Sequence, residues 1–422
     1  MNRCADDNRV NARVIRSSYW IRIATLLCGA SVATLILAVP FGRPLATWFG
    51  AVVAGSLVIG VLFARLGGFA FRGMVPVALF AASGVLSTSL SSYSEISWNR
   101  ASAGLILLFV FPAAQVIAQS AQSCRVIGIV SLMIVLGTVV DLAWQPLFGR
   151  SLLLGIPAPA GASRYSGSLP NPNEVAFLAI AAPIAMGFGL RAKAFRVVVG
   201  VGTIAAAVLC GSRAMLLGLA AAASLAGGLA TRRRWWGIGI ALSAIAMIAI
   251  TAWIADLGSV RARVSETLHF SEDSRIRVWR IAYEAWLQRP MIGNGPCVFF
   301  EIHEASRSTT RPSGWETPLG GMPWAHNLPL EILCERGMLG FALAAIVALS
   351  FVRDLKKSLR EKHHRAEAVA LASAAAAFAT MSMFDLSLLK DWCALLLWLI
   401  AGLAAGFASR ATQNSDAESR AA

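Results

Sequence analysis

Apolar runs about twenty residues long recur along most of this chain, separated by short polar loops. They fall at roughly 20–39, 45–64, 73–90, 101–119, 126–147, 174–190, 195–211, 213–230, 235–255, 326–352, 366–384 and 391–409. An α-helix rises ~1.5 Å per residue, so about twenty apolar residues cover the ~30 Å hydrocarbon core of a bilayer. The pattern predicts an all-α, polytopic integral membrane protein with about twelve transmembrane helices. One interval breaks the rhythm. Residues 256–325 are polar and far longer than an ordinary connection, yet keep Trp279, Tyr283, Trp286, Phe299, Phe300, Trp315 and Trp324. That content argues for an ordered, functional loop. The predicted organisation is therefore transmembrane helices one to nine in residues 1–255, a long loop with an amphipathic helix in 256–325, and helices ten to twelve with a tail in 326–422.

Composition agrees with this class: 57% of residues are hydrophobic and 14% charged, with a mean hydropathy of +0.65. So few charges cannot clothe a soluble protein of 422 residues. The formal charge of +15 is distributed by topology, not in a patch that would suit nucleic acid. Arg3, Arg9, Arg13, Arg16, Arg65, Arg72, Arg125, Arg232, Arg233, Arg234, Arg353, Lys356 and Lys357 fall on one side of the spans. Arg43, Arg100, Arg150, Arg164, Arg213 and Lys390 are the few on the other. The positive-inside rule then places both termini in the cytoplasm and the 256–325 loop outside. The seven cysteines have no regular spacing and read as small buried hydrophobes.

Within the long loop, Ile276, Trp279, Tyr283 and Trp286 recur at helical spacing and predict one apolar stripe, with Arg277 and Arg280 on the other side. Asp273 or Ser274 suits the N-cap, which puts Arg275 in the first turn. A cation there sits beside free backbone N–H groups and the positive end of the helix dipole, an unfavourable place unless an anion such as a phosphate or diphosphate meets it. A surface helix whose arginines touch lipid phosphates is the other reading. Arg213 repeats the arrangement, with Ser212 as N-cap at the mouth of an apolar helix. His326 lies at the outer end of a span, about at its N-cap, with Pro329 in the first turn. A neutral imidazole there suits a general base near neutral pH. Glu331 and Glu335 follow on the same helix; Glu335 would lie deep enough to need a partner from another element, because Arg336 faces elsewhere.

No phosphate-binding G-x-x-x-x-G-K-[ST] loop, H-E-x-x-H zinc motif, G-x-S-x-G elbow or Asp-x-Asp pair occurs. Recognition of an anion would then rest on arginines and backbone amides, with no metal and no cofactor.

Four segments together resemble the O-antigen ligase and polymerase family of bacterial envelope enzymes. They are Ser166-Gly167 through Pro170-Asn171-Pro172-Asn173; Gly211-Ser212-Arg213; Arg275-x-x-x-Trp279 running to Pro290-x-x-Gly293-x-Gly295; and His326-Asn327-Leu328-x-Leu330 followed by Glu335-x-Gly337-x-Leu339-Gly340. Met215-Leu216 and Pro296-Cys297 depart from the pattern without touching a proposed catalytic group. The resemblance implies a metal-independent, inverting glycosyl transfer at the periplasmic face of the bacterial inner membrane. The donor would be a glycan on undecaprenyl diphosphate, and the acceptor a lipid A–core sugar or, in a polymerase, another lipid-linked glycan. His326 would take the general-base role and Arg213 and Arg275 the diphosphate, with Arg164, Arg277, Arg280 and Glu335 as possible support. A transporter of the same lipid-linked substrates is the non-enzymatic alternative.

Overall fold

The structure is a computed structural model and describes residues 2–38, 46–158, 164–189, 192–230, 239, 274–309, 324–361 and 364–421. The predicted span at 235–255, apart from residue 239, and the stretches 256–273 and 310–323 of the long loop lie outside the described residues. Among the described residues every regular element is helical. In chain order they are α1 (Asn2–Ala38), α2 (Ala46–Leu66), α3 (Met74–Ser89), α4 (Ser94–Leu107), α5 (Val110–Ile117), α6 (Ala121–Phe148), a 3₁₀ turn (Pro172–Phe177), α7 (Leu178–Phe188), α8 (Lys193–Cys210) and α9 (Arg213–Ala230). There follow α10 (Ser274–Gln288), α11 (Phe299–Thr309), α12 (Leu328–Arg360), α13 (Arg365–Ser382) and α14 (Asp391–Ala421).

Among the described residues, six stretches are long and apolar enough to cross a bilayer: Ser18–Ala38, Ser94–Ile117, Ala121–Phe148, Lys193–Cys210, Leu328–Arg360 and Asp391–Gln413. The protein is thus a multi-pass membrane protein, helical in every regular element among the described residues. Six is fewer than the predicted twelve, and part of the difference is length. Val52–Leu66, Met74–Ser89, Pro172–Phe188 and Arg213–Leu229 are apolar helices too short to meet the same criterion.

The start of α14 to Gln413 is the most enclosed span, with 94% of its apolar window buried. It packs on α5, whose residues are buried all round. A Cβ on Gly402 would lie 2.3 Å from the Phe111 carbonyl oxygen, so only the missing side chain allows this approach. Elsewhere α9 and α13 lie antiparallel. Gly218 faces Met381, while the Arg365 guanidinium donates to the Leu229 carbonyl at 3.0 Å. The first residue of α9, Arg213, consequently sits at the same end of the bundle as the loop that follows α13.

Helix α12 is broken at Gly337, whose φ of 63° and ψ of −168° leave the helical region. The break frees backbone groups that have no water to turn to at membrane depth. The segment from Pro290 to Gly295 satisfies them: Asn294 and Gly295 N–H donate to the Cys334 and Glu335 carbonyls at 3.0 and 2.9 Å, and Met338 and Leu339 N–H donate to the Pro290 and Met291 carbonyls at 2.8 and 3.1 Å. The Ser87 hydroxyl adds a bond to the Glu335 carbonyl at 2.6 Å. Two sequence motifs far apart in the chain, Gly293-x-Gly295 and Glu335-x-Gly337, are therefore halves of one interlock. Contact is too close for a side chain on either half. A Cβ at Gly337 would lie 2.4 Å from the Met291 carbonyl carbon, and one at Gly293 2.4 Å from the Glu335 carbonyl carbon. Gly337→Ala is expected to destabilise the protein by at least ~2 kcal/mol, from the left-handed backbone and the clash together. Thermal unfolding in detergent checks this; an unchanged midpoint would contradict the interlock.

The apolar stripe of α10 differs from the expected one. Val278, Ala282 and Ala285 are buried, while Ile276 and Tyr283 are exposed. The bulky aromatics suggested the packed face, but α10 lies close against α12, and small residues permit that approach. The correction moves Arg275 as well. It lies three residues before Val278 and seven before Ala282, on the stripe that faces the bundle.

Candidate active site

The side chain of Asn327 starts α12: its Oδ1 accepts from the Leu330 N–H at 3.0 Å, with Pro329 in the first turn. The N-cap is thus Asn327, one residue later than expected. The Asn327 Nδ2 donates to the Met383 carbonyl at 3.1 Å, which ties the helix start to the loop joining α13 and α14. Glu331 braces that loop one turn deeper, accepting from the Ser387 hydroxyl at 2.7 Å and the Leu388 N–H at 3.2 Å. His326 precedes the cap in a left-handed conformation, φ 53°, uncommon for a residue with a side chain and typical of positions held for function.

So held, the ring places Nδ1 2.8 Å from Asp385 Oδ1. The Trp324 indole packs against the ring with centroids 5.3 Å apart, and its Nε1 lies 3.2 Å from the same Nδ1. Burial by itself would raise the Asp385 carboxyl. The hydrogen bond from His326 and the charges of Lys390, His326 and Arg275 outweigh it and hold the group below the usual carboxylate range. An ionised Asp385 can only accept. The contact at 2.8 Å therefore requires the proton on Nδ1, which leaves the lone pair on Nε2. A tautomer with Nδ1 accepting from Trp324 would set two acceptors against each other at that distance.

The network continues behind Asp385. Lys390 Nζ lies 3.9 Å from Asp385 Oδ2, 3.1 Å from Glu174 Oε1 and 4.4 Å from the centre of the Trp324 ring. Glu174 comes from the 3₁₀ turn, whose start is capped by Asn171 accepting from the Asn173 N–H at 2.8 Å. The Trp392 indole N–H donates to the other Glu174 oxygen.

The predicted arginines divide. Arg275 is close enough for its charge to help hold Asp385 down. Arg213 is the first residue of α9, as expected, with the Ser212 hydroxyl accepting from the Met215 N–H at 3.3 Å and Gly211 ending α8. Arg164 fastens the loop before the 3₁₀ turn: Nε donates to the Cys210 carbonyl at 2.7 Å and Nη2 to Asn173 Oδ1 at 2.5 Å. It thereby links the α8–α9 turn to the turn that carries Glu174. Arg277 is half-buried on α10 and Arg280 is exposed. Glu335 is turned to the start of α11, where its Oε1 accepts from the Phe299 N–H at 3.4 Å. Its partner is a helix N-terminus, not the His326 cluster. Arg336 does face elsewhere, donating to the Phe80 carbonyl at 3.1 Å and lying over the Phe80 ring.

Residues 197–345 match the family described as O-antigen ligase. The likeness to the O-antigen ligase family extends over this region. The matched region contains Arg213, Arg275 and His326, and ends before Asp385. No curated protein matches the chain. Beyond the matched O-antigen ligase region, the residues that sequence reasoning missed are Asp385, Lys390 and Glu174. Each sits in or beside a short connection with no motif around it, and Asp385 meets its histidine across 59 residues of chain.

Proposed function

We propose that this protein transfers a glycan from undecaprenyl diphosphate to an acceptor sugar hydroxyl at the periplasmic face of the bacterial inner membrane, with both termini cytoplasmic. The observation that carries the reading is the 2.8 Å contact between His326 and the buried Asp385, with the charge of Arg275 reaching the same carboxylate. A histidine oriented by an ionised carboxylate is suited to take a proton from a hydroxyl.

In the proposed reaction, His326 Nε2 removes the acceptor hydroxyl proton as that oxygen attacks the anomeric carbon of the donor. The new carbon–oxygen bond forms on the face opposite the bond to the diphosphate, which breaks with its electron pair. Undecaprenyl diphosphate leaves, and the linkage is inverted. The imidazolium is stabilised by Asp385 and later returns its proton to water. Negative charge grows on the departing diphosphate, and Arg213 and Arg275, each in the first turn of a helix, would offset it together with the helix N-termini. Arg164 supports this site by fastening the loop between them and Glu174. The same base and grip serve a polymerase whose acceptor is a second lipid-linked glycan. Lipid A–core and lipid-linked acceptors compared on the purified protein separate the two.

Removing either arginine tests the diphosphate grip. Arg213→Ala and Arg275→Ala are each expected to weaken binding of undecaprenyl diphosphate about 10- to 100-fold, the range for a lost charge-assisted contact. Unaltered affinity in either variant would remove that arginine from the donor site.

A further inference from the structure

Lys390 occupies an unfavourable place for a lysine. Its side chain is 5% exposed. It directly precedes α14, where the positive end of the helix dipole disfavours a cation, and the Cys393 N–H bonds to its carbonyl at 2.9 Å. Buried lysines persist where they are paired, and here the partners are two carboxylates from different parts of the chain. Glu174 lies 3.1 Å away on one side and Asp385 3.9 Å away on the other, with the Trp324 ring 4.4 Å from the ammonium. Trp324 also packs on His326, so one indole touches both the lysine and the histidine.

We propose that Lys390 is a positioning residue for the transfer: held by Glu174, it fixes the charge and orientation of the Asp385 carboxylate, which in turn keeps the proton of His326 on Nδ1. This rests on the general-base role of His326 and extends it to a relay, Glu174–Lys390–Asp385–His326. Burial alone would lower the lysine, but Asp385 and Glu174 more than offset it and hold its ammonium above the ordinary range, so Lys390 stays charged wherever the enzyme works. The other charged groups around the loop are Arg275 from α10, Glu331 from α12, Arg213 at the start of α9 and Asp391 next in the chain. Of these, Arg275 adds to the field on Asp385.

The sign of the pH effect follows. Activity needs Asp385 ionised, and that condition fails as pH falls. Removing the lysine charge makes protonation of Asp385 easier, so the acid limb of the rate profile moves to higher pH. In Lys390→Met, assayed as purified full-length protein with fluorescent undecaprenyl-diphosphate-linked glycan and lipid A–core, that limb is expected to rise by about one pH unit. kcat should fall near neutral pH while KM for the donor stays near that of the wild type. Lys390→Arg, which keeps the charge, should restore the wild-type limb. The double variant Glu174→Gln/Lys390→Met leaves no carboxylate buried opposite a missing lysine at Glu174, and serves if the single variant does not fold. It should show the same upward displacement.

A limb that stays in place in the variant that folds, with activity lost evenly at all pH values, would make Lys390 structural and overturn the proposal. A raised donor KM with an unmoved limb would make it a diphosphate ligand, and would overturn it equally. His326→Ala measured alongside keeps the two claims apart: retained activity there defeats the base role itself, whereas an inert His326→Ala beside an unmoved Lys390→Met limb defeats the relay alone.

Discussion

Replacing His326 with alanine is expected to slow glycan transfer about 10²- to 10⁴-fold, the range for loss of a positioned general base. The protein should still accumulate in the membrane, because α12 is started by Asn327, whose bonds to Leu330 and Met383 do not involve the imidazole. The alanine also keeps a Cβ at a left-handed position, so some strain remains, but no buried charge is stranded: Asp385 keeps Lys390 beside it. Donor affinity should change little, since the proposed diphosphate contacts come from α9 and α10. The measurement is transfer rate per mole of purified protein, with donor binding followed separately. Wild-type transfer by His326→Ala would remove the residue from the chemistry.

Asp385→Asn is expected to have an effect of similar size, about 10²- to 10⁴-fold, by a different route. An asparagine amide can donate to Nδ1, which would shift the imidazole proton to Nε2 and hide the lone pair from the acceptor hydroxyl. The geometry survives while the tautomer is wrong. The carboxylate also links pH to stability. Because Asp385 is held below its ordinary range in the folded protein, its contribution is present above the unfolded-state value and is lost as pH falls through the lowered folded value. Asp385→Asn should therefore flatten the acid side of the stability profile as well as depress the rate. Thermal midpoints across acidic pH check the first effect and steady-state transfer the second. A variant with wild-type rate would show that His326 needs no orienting carboxylate.

The fold class was legible because the hydrocarbon core imposes a length on every crossing helix, and that length is written into the apolar runs. Their count was less so. A run such as Met74–Ser89 reads as a span by composition but is short as a helix, and only its packing neighbours decide how it sits. Local capping chemistry was also readable: Ser212 ahead of Arg213 forms the predicted helix start, and Pro329 falls in the first turn of α12. Periodicity misled at α10, where size pointed to the aromatics and close helix packing selected Val278, Ala282 and Ala285. Glu335 was expected to need a partner from another element, and it finds one in the backbone at the start of α11, which no side-chain pattern could reveal. Asp385 and Lys390 escaped for a related reason. Their significance lies in an ion-pair network assembled from the 3₁₀ turn, the α13–α14 loop and the residue before Asn327, and a single sequence does not encode which distant loops meet.

The central claim is that the cluster at this end of the bundle performs chemistry on a lipid-linked glycan and does not merely bind it. The most direct test gives the purified protein, with no other protein present, a labelled undecaprenyl-diphosphate-linked glycan and an acceptor bearing free sugar hydroxyls. The expected result is a glycan–acceptor product of inverted linkage with release of undecaprenyl diphosphate, and little or none with His326→Ala of equal stability. Movement of intact donor across proteoliposomes without any product, or equal product from His326→Ala, would contradict it.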